Sequence, residues 1–158
     1  MSRDSGVVVL LVQPSADEGG AMYAEFLRFH GLTPLVATNA ADALLAAARA
    51  DIIVTGILLS GDVDGVELIA RLRSDAATKD VPIIVLTACA WPSAQGRAEL
   101  AGCDAFLTKP CLPEVLLHEV RQQLAASKFR HTRAAAAKAD LPDSGTTLRT
   151  SRDRKRPA

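Results

Sequence analysis

Short runs of apolar residues alternate along this chain with longer segments in which apolar residues recur at helical spacing. This alternation predicts βαβ units, and runs of Val, Ile and Leu without polar alternation are typical of parallel strands covered by helices on both faces. The five predicted strands are residues 7–12, 35–37, 52–55, 83–87 and 105–107. The five predicted helices are residues 16–30, 39–49, 64–74, 94–101 and 113–126.

Local signals set the boundaries and the strand order. Asn39 is a suitable N-cap for the second helix, and Gly31 and Gly102 are suitable ends for the first and fourth helices. Pro34 cannot donate a ladder hydrogen bond, so the second strand is predicted at a sheet edge. Five βα units with that edge predict an α/β fold, a doubly wound flavodoxin-like (βα)5 sheet of strand order 2-1-3-4-5.

Charge divides the chain into two parts. Residues 1–127 carry a net charge of −6, and residues 128–158 carry +6. The first part is predicted to be one domain, and the basic second part is too poor in large apolar residues to offset its ordering entropy. The tail, residues 128–158, is therefore predicted to be disordered, with some helix through the four alanines at residues 134–137.

Two features favour the cytoplasm. The longest apolar run, residues 7–12, is far shorter than a membrane span, and no cleavage-site pattern follows it. The three cysteines lack metal-ligand spacing and suit a reducing compartment. Cys89 and Cys111 follow adjacent predicted strands, so they are either two unrelated thiols or a redox pair at the rim of the sheet.

Several separated motifs occur in a fixed order. The third predicted strand is buried and ends at Gly56, and a polar loop follows at residues 60–65. After the next helix, the fourth predicted strand ends at Thr87. The last strand ends in a Lys109-Pro110 pair that follows Phe106. Over residues 7–126 these motifs resemble the response-regulatory (receiver) domain of two-component and phosphorelay systems. The resemblance implies a phosphorylated aspartate after strand three and an acidic pair after strand one that holds Mg²⁺.

The acidic positions implied by the resemblance carry other residues here. Gln13 and Pro14 stand in place of the acidic pair, and Gly56 stands in place of the phosphoacceptor. The switch-type residues that the resemblance implies are retained: Thr87, Phe106, Lys109 and Pro110. We therefore expect a degenerate pseudo-receiver with no catalytic residues, no enzymatic activity, no metal site and no bound Mg²⁺ or other cofactor.

Other acids are poor substitutes for the missing aspartate. Asp51 begins the third strand, roughly 16 Å from its end. Asp62 and Asp64 are explained by the loop and an N-cap, and Asp17 and Glu18 by the first turn of a helix.

Loss of the acids also changes the surroundings of Lys109. Its ammonium must reach water, backbone carbonyls, a nearby acid or a bound anion. The last case would be a small anion pocket made with Thr87 and backbone amides.

The favoured function is a stand-alone atypical receiver that acts as a phosphorylation-independent protein-interaction module. Its partner would be a histidine kinase, a phosphatase, another signalling protein or a second copy of the chain; a membrane is not expected, and nucleic acid has the least support. The candidates for the partner face are Trp91, Arg97, Leu112, Leu116 and Val120, of which some must belong to the core. For Trp91, packing against its own loop is the favoured prediction, and an exposed interface anchor is the alternative. The rival functions are an active receiver that uses a displaced carboxylate and a small-anion sensor that uses the emptied crevice.

Overall fold

The computed structural model describes residues 6–14 and 18–140, and the side chains of residues 6–14 and 20–128. The strands are β1 (Val8–Val12), β2 (Thr33–Ala37), β3 (Ile52–Thr55), β4 (Ile83–Thr87) and β5 (Ala105–Thr108). The helices are α1 (Glu18–Phe29), α2 (Ala40–Ala46), α3 (Gly65–Ser74), α4 (Pro92–Ala101) and α5 (Pro113–Asp140), with a 3₁₀ turn at Ala47–Arg49 after α2. Among the described residues, every helix is too short or too polar to span a lipid bilayer.

The five strands form one parallel sheet in the order β2-β1-β3-β4-β5, so the predicted fold class and strand order are confirmed. Pro34 lies in the edge strand β2. Proline is tolerated at an edge because its missing N–H can face away from the neighbouring strand. The register places Val12 of β1 beside Thr55 of β3. It also places Thr87 of β4 beside Thr108 of β5, so the ends of these four strands lie side by side.

Each face of the sheet has its own hydrophobic core, because successive strand residues point to opposite faces. The first core cluster joins Leu10 and Val85 to helices α2, α3 and α4. The second joins Leu11 and Leu86 to α1 and α5. The strand residues of both clusters are almost fully buried, which explains the continuous apolar runs in the sequence.

The helix boundaries follow from identifiable caps. The Asn39 side chain accepts a hydrogen bond from the backbone N–H of Asp42 at 2.8 Å and so begins α2 as predicted. Asp64 caps α3 in the same way. At the end of α4, Gly102 adopts a left-handed conformation with φ 118°, which glycine tolerates and other residues rarely do.

Arg73 ties the end of α3 to three neighbouring segments. Its guanidinium donates to the carbonyl oxygens of Gly102 at 3.0 Å, Lys79 at 2.9 Å and Val81 at 2.6 Å. It also forms an ion pair with Asp104 at 2.8 Å, and both side chains are mostly buried. Because one planar cation satisfies four acceptors, its loss would leave several of them without a donor.

We expect Arg73→Met to lower the free energy of unfolding by about 2 kcal/mol, because three carbonyl oxygens lose their donor and the Asp104 carboxylate, which still accepts from the N–H of Ile83, loses its ion pair. Arg71→Met is the matched control on the same helix, because its ion pair with Glu67 is half exposed. That control should cost less than about 1 kcal/mol. Urea unfolding measures both, and equal losses would contradict the special role of Arg73.

Helix α5 corrects the predicted start of the tail. It extends to Asp140, well beyond the predicted end at residue 126, and it includes the four alanines where some helix was expected. No glycine or proline interrupts residues 114–140, and alanine is the best helix former. Residues 128–140 are therefore helical, contrary to the prediction of disorder, and residues 141–158 lie outside the described part. By contacts the chain divides into two units, Met1–Leu124 and Ala125–Ala158.

Candidate functional site

A cavity of about 300 Å³ lies at the carboxyl ends of β1, β3, β4 and β5. We call this cavity the crevice. The described residues that line it are Gln13, Pro14, Gly56, Ile57, Leu58, Leu86, Thr87, Ala88, Cys89 and Lys109. Ligands of open α/β sheets bind at this edge, outside the carboxyl ends of the strands. The structure therefore brings five of the predicted site residues into one cavity: Gln13, Pro14, Gly56, Thr87 and Lys109.

Backbone hydrogen bonds hold the walls of the crevice in register. The N–H of Gly56 donates to the carbonyl oxygen of Val12 at 2.9 Å, which joins the end of β3 to β1. The N–H of Lys109 donates to the carbonyl oxygen of Thr87 at 2.9 Å, which joins the end of β5 to β4. These site residues therefore follow directly on the strand ends, where backbone hydrogen bonds to the neighbouring strands hold them.

Gln13 links three strand ends through its side-chain amide. The ammonium of Lys109 donates to Oε1 of Gln13 at 2.7 Å. Nε2 of Gln13 donates to the carbonyl oxygen of Leu86 at 3.4 Å. The side chain is only 3% exposed, so both ends of the amide are buried in polar contacts. The acceptors predicted for Lys109 did not include a side-chain amide. Gln13 and Lys109 follow the ends of β1 and β5 at the same edge of the sheet, and this shared position could have suggested the contact.

Gln13 also occupies the space beside Gly56. A Cβ at position 56 would lie 3.6 Å from Nε2 and 3.8 Å from Oε1 of Gln13, and 3.5 Å from the carbonyl oxygen of Leu86. These are ordinary contact distances, so the backbone at Gly56 would accept a side chain. A side chain longer than alanine at position 56 would occupy the space that the Gln13 amide fills.

The retained residues have clear structural surroundings. Thr87 is 5% exposed, and its hydroxyl oxygen accepts a hydrogen bond from the N–H of Cys89 at 3.0 Å. Phe106 is half-buried and packs against the first core cluster. The peptide bond between Lys109 and Pro110 is cis.

The acids considered as substitutes lie elsewhere. The Asp51 carboxylate accepts a hydrogen bond from the N–H of Val8, at the opposite end of the sheet. Asp64 caps α3 and lies 3.5 Å from Arg97, and Asp62 is exposed. Asp17 and the side chain of Glu18 lie outside the described part. Among the described residues, no three His, Cys, Asp or Glu side chains meet as they would to hold a metal.

The predicted partner face needs two corrections. Trp91 is 68% exposed and Leu112 is 67% exposed, so Trp91 does not pack against its own loop. Leu116 and Val120 are fully buried in the second core cluster, because they lie on the inward side of α5. They belong to the core and not to a partner surface. Arg97 is exposed and pairs with Asp64.

The cysteines are all free thiols. Cys89 packs against the first core cluster and Cys111 against the second, on the opposite face of the sheet. Burial raises the pKa of the Cys111 thiol, and burial beside Glu99 raises the pKa of Cys103 to about 11. Because Cys89 and Cys111 pack against different cores on opposite faces of the sheet, two unrelated thiols describe them better than a redox pair.

A parallel sheet with this strand order and a crevice at its carboxyl edge defines the flavodoxin-like class of α/β folds, which bind ligands outside the strand ends. The family model for the response regulator receiver domain matches residues 21–121, more than half of the chain. The chain therefore belongs to the response regulator receiver domain family, as the resemblance implied.

Individual relatives agree with this assignment. The phosphate regulon transcriptional regulatory protein PhoB of Pseudomonas aeruginosa is 32% identical over 121 residues, which cover 75% of this chain and 52% of that protein. The signal receiver domain of a modulated diguanylate cyclase from Desulfovibrio desulfuricans G20 is 27% identical, with a TM-score of 0.70 over 80% of this chain and 99% of that chain. A CheY-like receiver domain protein from Methanospirillum hungatei JF-1 shares the fold, with 22% identity and a TM-score of 0.72 over 80% of this chain and 99% of its own. The chain spans about half or less of the length of the curated relatives it matches.

Proposed function

We propose that this receiver domain is a pseudo-receiver: a docking module of a two-component system that works without phosphorylation. The observation that supports the proposal is the composition of the crevice. Among the described residues that line the crevice there is no carboxylate, and the Gln13 side chain fills the space beside Gly56. Gly56 stands where the family resemblance puts the phosphoacceptor.

Phosphoryl transfer to a receiver needs two things that these walls do not offer. One is a carboxylate nucleophile, and glycine at position 56 has no side chain. The other is a magnesium site, and Mg²⁺ is usually bound through one or two carboxylates in near-octahedral geometry. Gln13 supplies one amide oxygen, which already accepts from Lys109. We therefore expect no bound Mg²⁺, no phosphorylation at this site and no enzymatic activity.

The same contacts favour a fixed docking surface. Lys109 is tied to the buried Gln13, and Phe106 is packed against the first core cluster. A covalent modification switches a protein only by changing charge or packing at such a site. Without an aspartate to accept a phosphoryl group, this modification cannot occur. The docking surface would therefore keep one conformation when it meets its partner.

The surface that we propose for docking contains Trp91, Arg97 and Leu112. An exposed tryptophan is a strong anchor, since aromatic and arginine side chains dominate the binding energy of many interfaces. The partner would be a histidine kinase, a phosphatase, another signalling protein or a second copy of the chain. We propose the cytoplasm as the compartment.

A pull-down from host lysate tests this proposal. The bait is used untreated, or after incubation with acetyl phosphate and Mg²⁺. We expect the same captured partner in equal amount, and a loss of about tenfold or more with Trp91→Ser, as for an interface hot spot. Leu45→Ser is the matched control, because Leu45 is 83% exposed on α2, away from Trp91 in the chain. A partner captured only after phosphodonor treatment would contradict the proposal and favour a displaced carboxylate.

A further inference from the structure

We propose that two copies of this chain associate through helix α1, which packs antiparallel against α1 of the second copy about a two-fold axis. This interface lies apart from the docking surface that contains Trp91. Helix α1 covers the second core cluster, whereas α4, which begins directly after Trp91, covers the first core cluster on the opposite face of the sheet. The association therefore goes beyond the proposed docking function and does not depend on it.

An apolar stripe runs along the outer flank of α1. Met22, Phe26 and Phe29 follow one another at spacings of four and three residues, which places them on one side of a helix. Phe29 is 82% exposed, Met22 is nearly half exposed, and Phe26 is partly buried at the edge of the second core cluster. The inward residues of the same helix, Tyr23 and Leu27, are already buried. The core of its own domain therefore does not account for the stripe.

His30 and Val36 enlarge this apolar surface. The ring centroid of His30 lies 4.5 Å from that of Phe26 and 5.2 Å from that of Phe29, so the three rings form one cluster. Val36 of the edge strand β2 is exposed, and it is in register with Leu11 of the second core cluster. Its side chain therefore points to the face of the sheet that α1 covers. Exposed apolar surface of this kind marks a protein interaction site.

The charges of α1 favour a second copy as the occupant. Glu25 and Arg28 form an exposed ion pair at 2.9 Å on this helix. In an interface with two-fold symmetry, residue i of one copy meets residue j of the other, and residue j meets residue i. An antiparallel pair of α1 helices would place Glu25 of each copy beside Arg28 of the other. A parallel pair would place like charges opposite each other, which is unfavourable.

The apolar residues fit the same antiparallel register as the charges. The midpoint between Glu25 and Arg28 falls between residues 26 and 27, and the midpoint between Met22 and Phe29 falls between residues 25 and 26. The two midpoints differ by one residue, about 1.5 Å along the helix axis. One two-fold axis near Phe26 therefore satisfies both sets of contacts. Because α1 has only 12 residues, the interface is small and the dimer should be transient.

Sedimentation velocity of the full chain at increasing concentration tests this interface. We expect the average mass to rise from that of a monomer toward that of a dimer. Phe29→Ser should weaken dimerisation about tenfold or more, as loss of an aromatic anchor does. Leu100→Ser is the matched control, because Leu100 is 90% exposed on α4, and it should leave dimerisation unchanged. A chain that stays monomeric at about 1 mM would overturn the proposal. A dimer that Leu100→Ser weakens and Phe29→Ser does not would overturn it too.

Charge reversal tests the ion pairs between the two copies. Glu25→Arg leaves two cations at positions 25 and 28, and Arg28→Glu leaves two carboxylates there. Each variant alone should therefore dimerise about tenfold more weakly than the unchanged chain. An equimolar mixture of the two should regain the lost affinity, because opposite charges then meet. A mixture that associates no more tightly than the separate variants would contradict the proposed pairing.

The dimer and the docking surface can be tested separately. Trp91→Ser should leave dimerisation unchanged, and Phe29→Ser should leave the pull-down result unchanged. Loss of the dimer in Trp91→Ser would contradict an interface built on α1.

Discussion

Replacement of Gly65 by alanine should lower the free energy of unfolding by about 3 kcal/mol, because position 65 has no room for a side chain. Gly65 is the first residue of α3, and its N–H donates to the carbonyl oxygen of Ile57 at 2.7 Å. A Cβ there would collide with the carbonyl group of Gly56 and lie 2.9 Å from the Cα of Ile57. Both obstacles are backbone, so relief requires α3 to move away from the end of β3. Thermal unfolding should show a loss of about 10 °C.

Gly96→Ala is the matched control for this prediction. Gly96 lies inside α4, and a Cβ at that position meets nothing within 4 Å. Alanine is the better helix former by about 1 kcal/mol, so this variant should melt at a higher temperature than the unchanged protein. Gly65→Ala and Gly96→Ala should therefore shift the melting temperature in opposite directions. A normal melting temperature for Gly65→Ala would mean that α3 does not pack against the strand end as described.

The second large effect is a gain of phosphorylation in the triple variant Gln13→Asp, Pro14→Asp, Gly56→Asp. Removal of the Gln13 side chain frees the room beside position 56, where a Cβ has ordinary contact distances. The three new carboxylates would supply a nucleophile and oxygen ligands for Mg²⁺ beside Lys109. We expect the variant to take up a phosphoryl group from acetyl phosphate when Mg²⁺ is present, as measured by intact mass. The uptake should disappear when EDTA replaces the metal.

Partial variants separate the contributions of the acceptor and the metal ligands. Gly56→Asp alone should stay unmodified, because Gln13 still occupies the neighbouring space and no metal ligands are added. The pair Gln13→Asp, Pro14→Asp should also stay unmodified, because it lacks the acceptor. Uptake by Gly56→Asp alone would show that the acidic pair is not the limiting loss.

Most of the fold could be predicted because its signals are local in the sequence. Continuous apolar runs indicated a sheet covered on both faces, and Pro34 placed β2 at the edge. The caps Asn39 and Gly102 were visible as residue types at helix ends. The end of α5 was misjudged because low hydrophobicity was interpreted as disorder, although a run of alanines with no glycine or proline favours a helix.

The sequence predicted which residues lie at the candidate site but not the hydrogen bonds that their side chains form. That Gln13, Gly56 and Lys109 end neighbouring strands follows from the strand order alone. That the Gln13 amide accepts from Lys109 depends on two side-chain conformations, which no spacing rule supplies. The Arg73 network was missed for the same reason, since its acceptors are backbone carbonyls distant in sequence. Leu116 was misassigned because the phase of α5 relative to the sheet decides which of its leucines are buried.

The intact mass of the unchanged full chain, after incubation with acetyl phosphate and Mg²⁺, tests the central claim most directly. A phosphorylatable receiver domain treated in the same way serves as the control for the phosphodonor. The pseudo-receiver account predicts that this chain keeps its unmodified mass while the control gains one phosphoryl group. A hydroxylamine-sensitive phosphoryl group on any carboxylate of this chain would contradict the account, because it would show an acceptor that Gly56 and its neighbours do not provide.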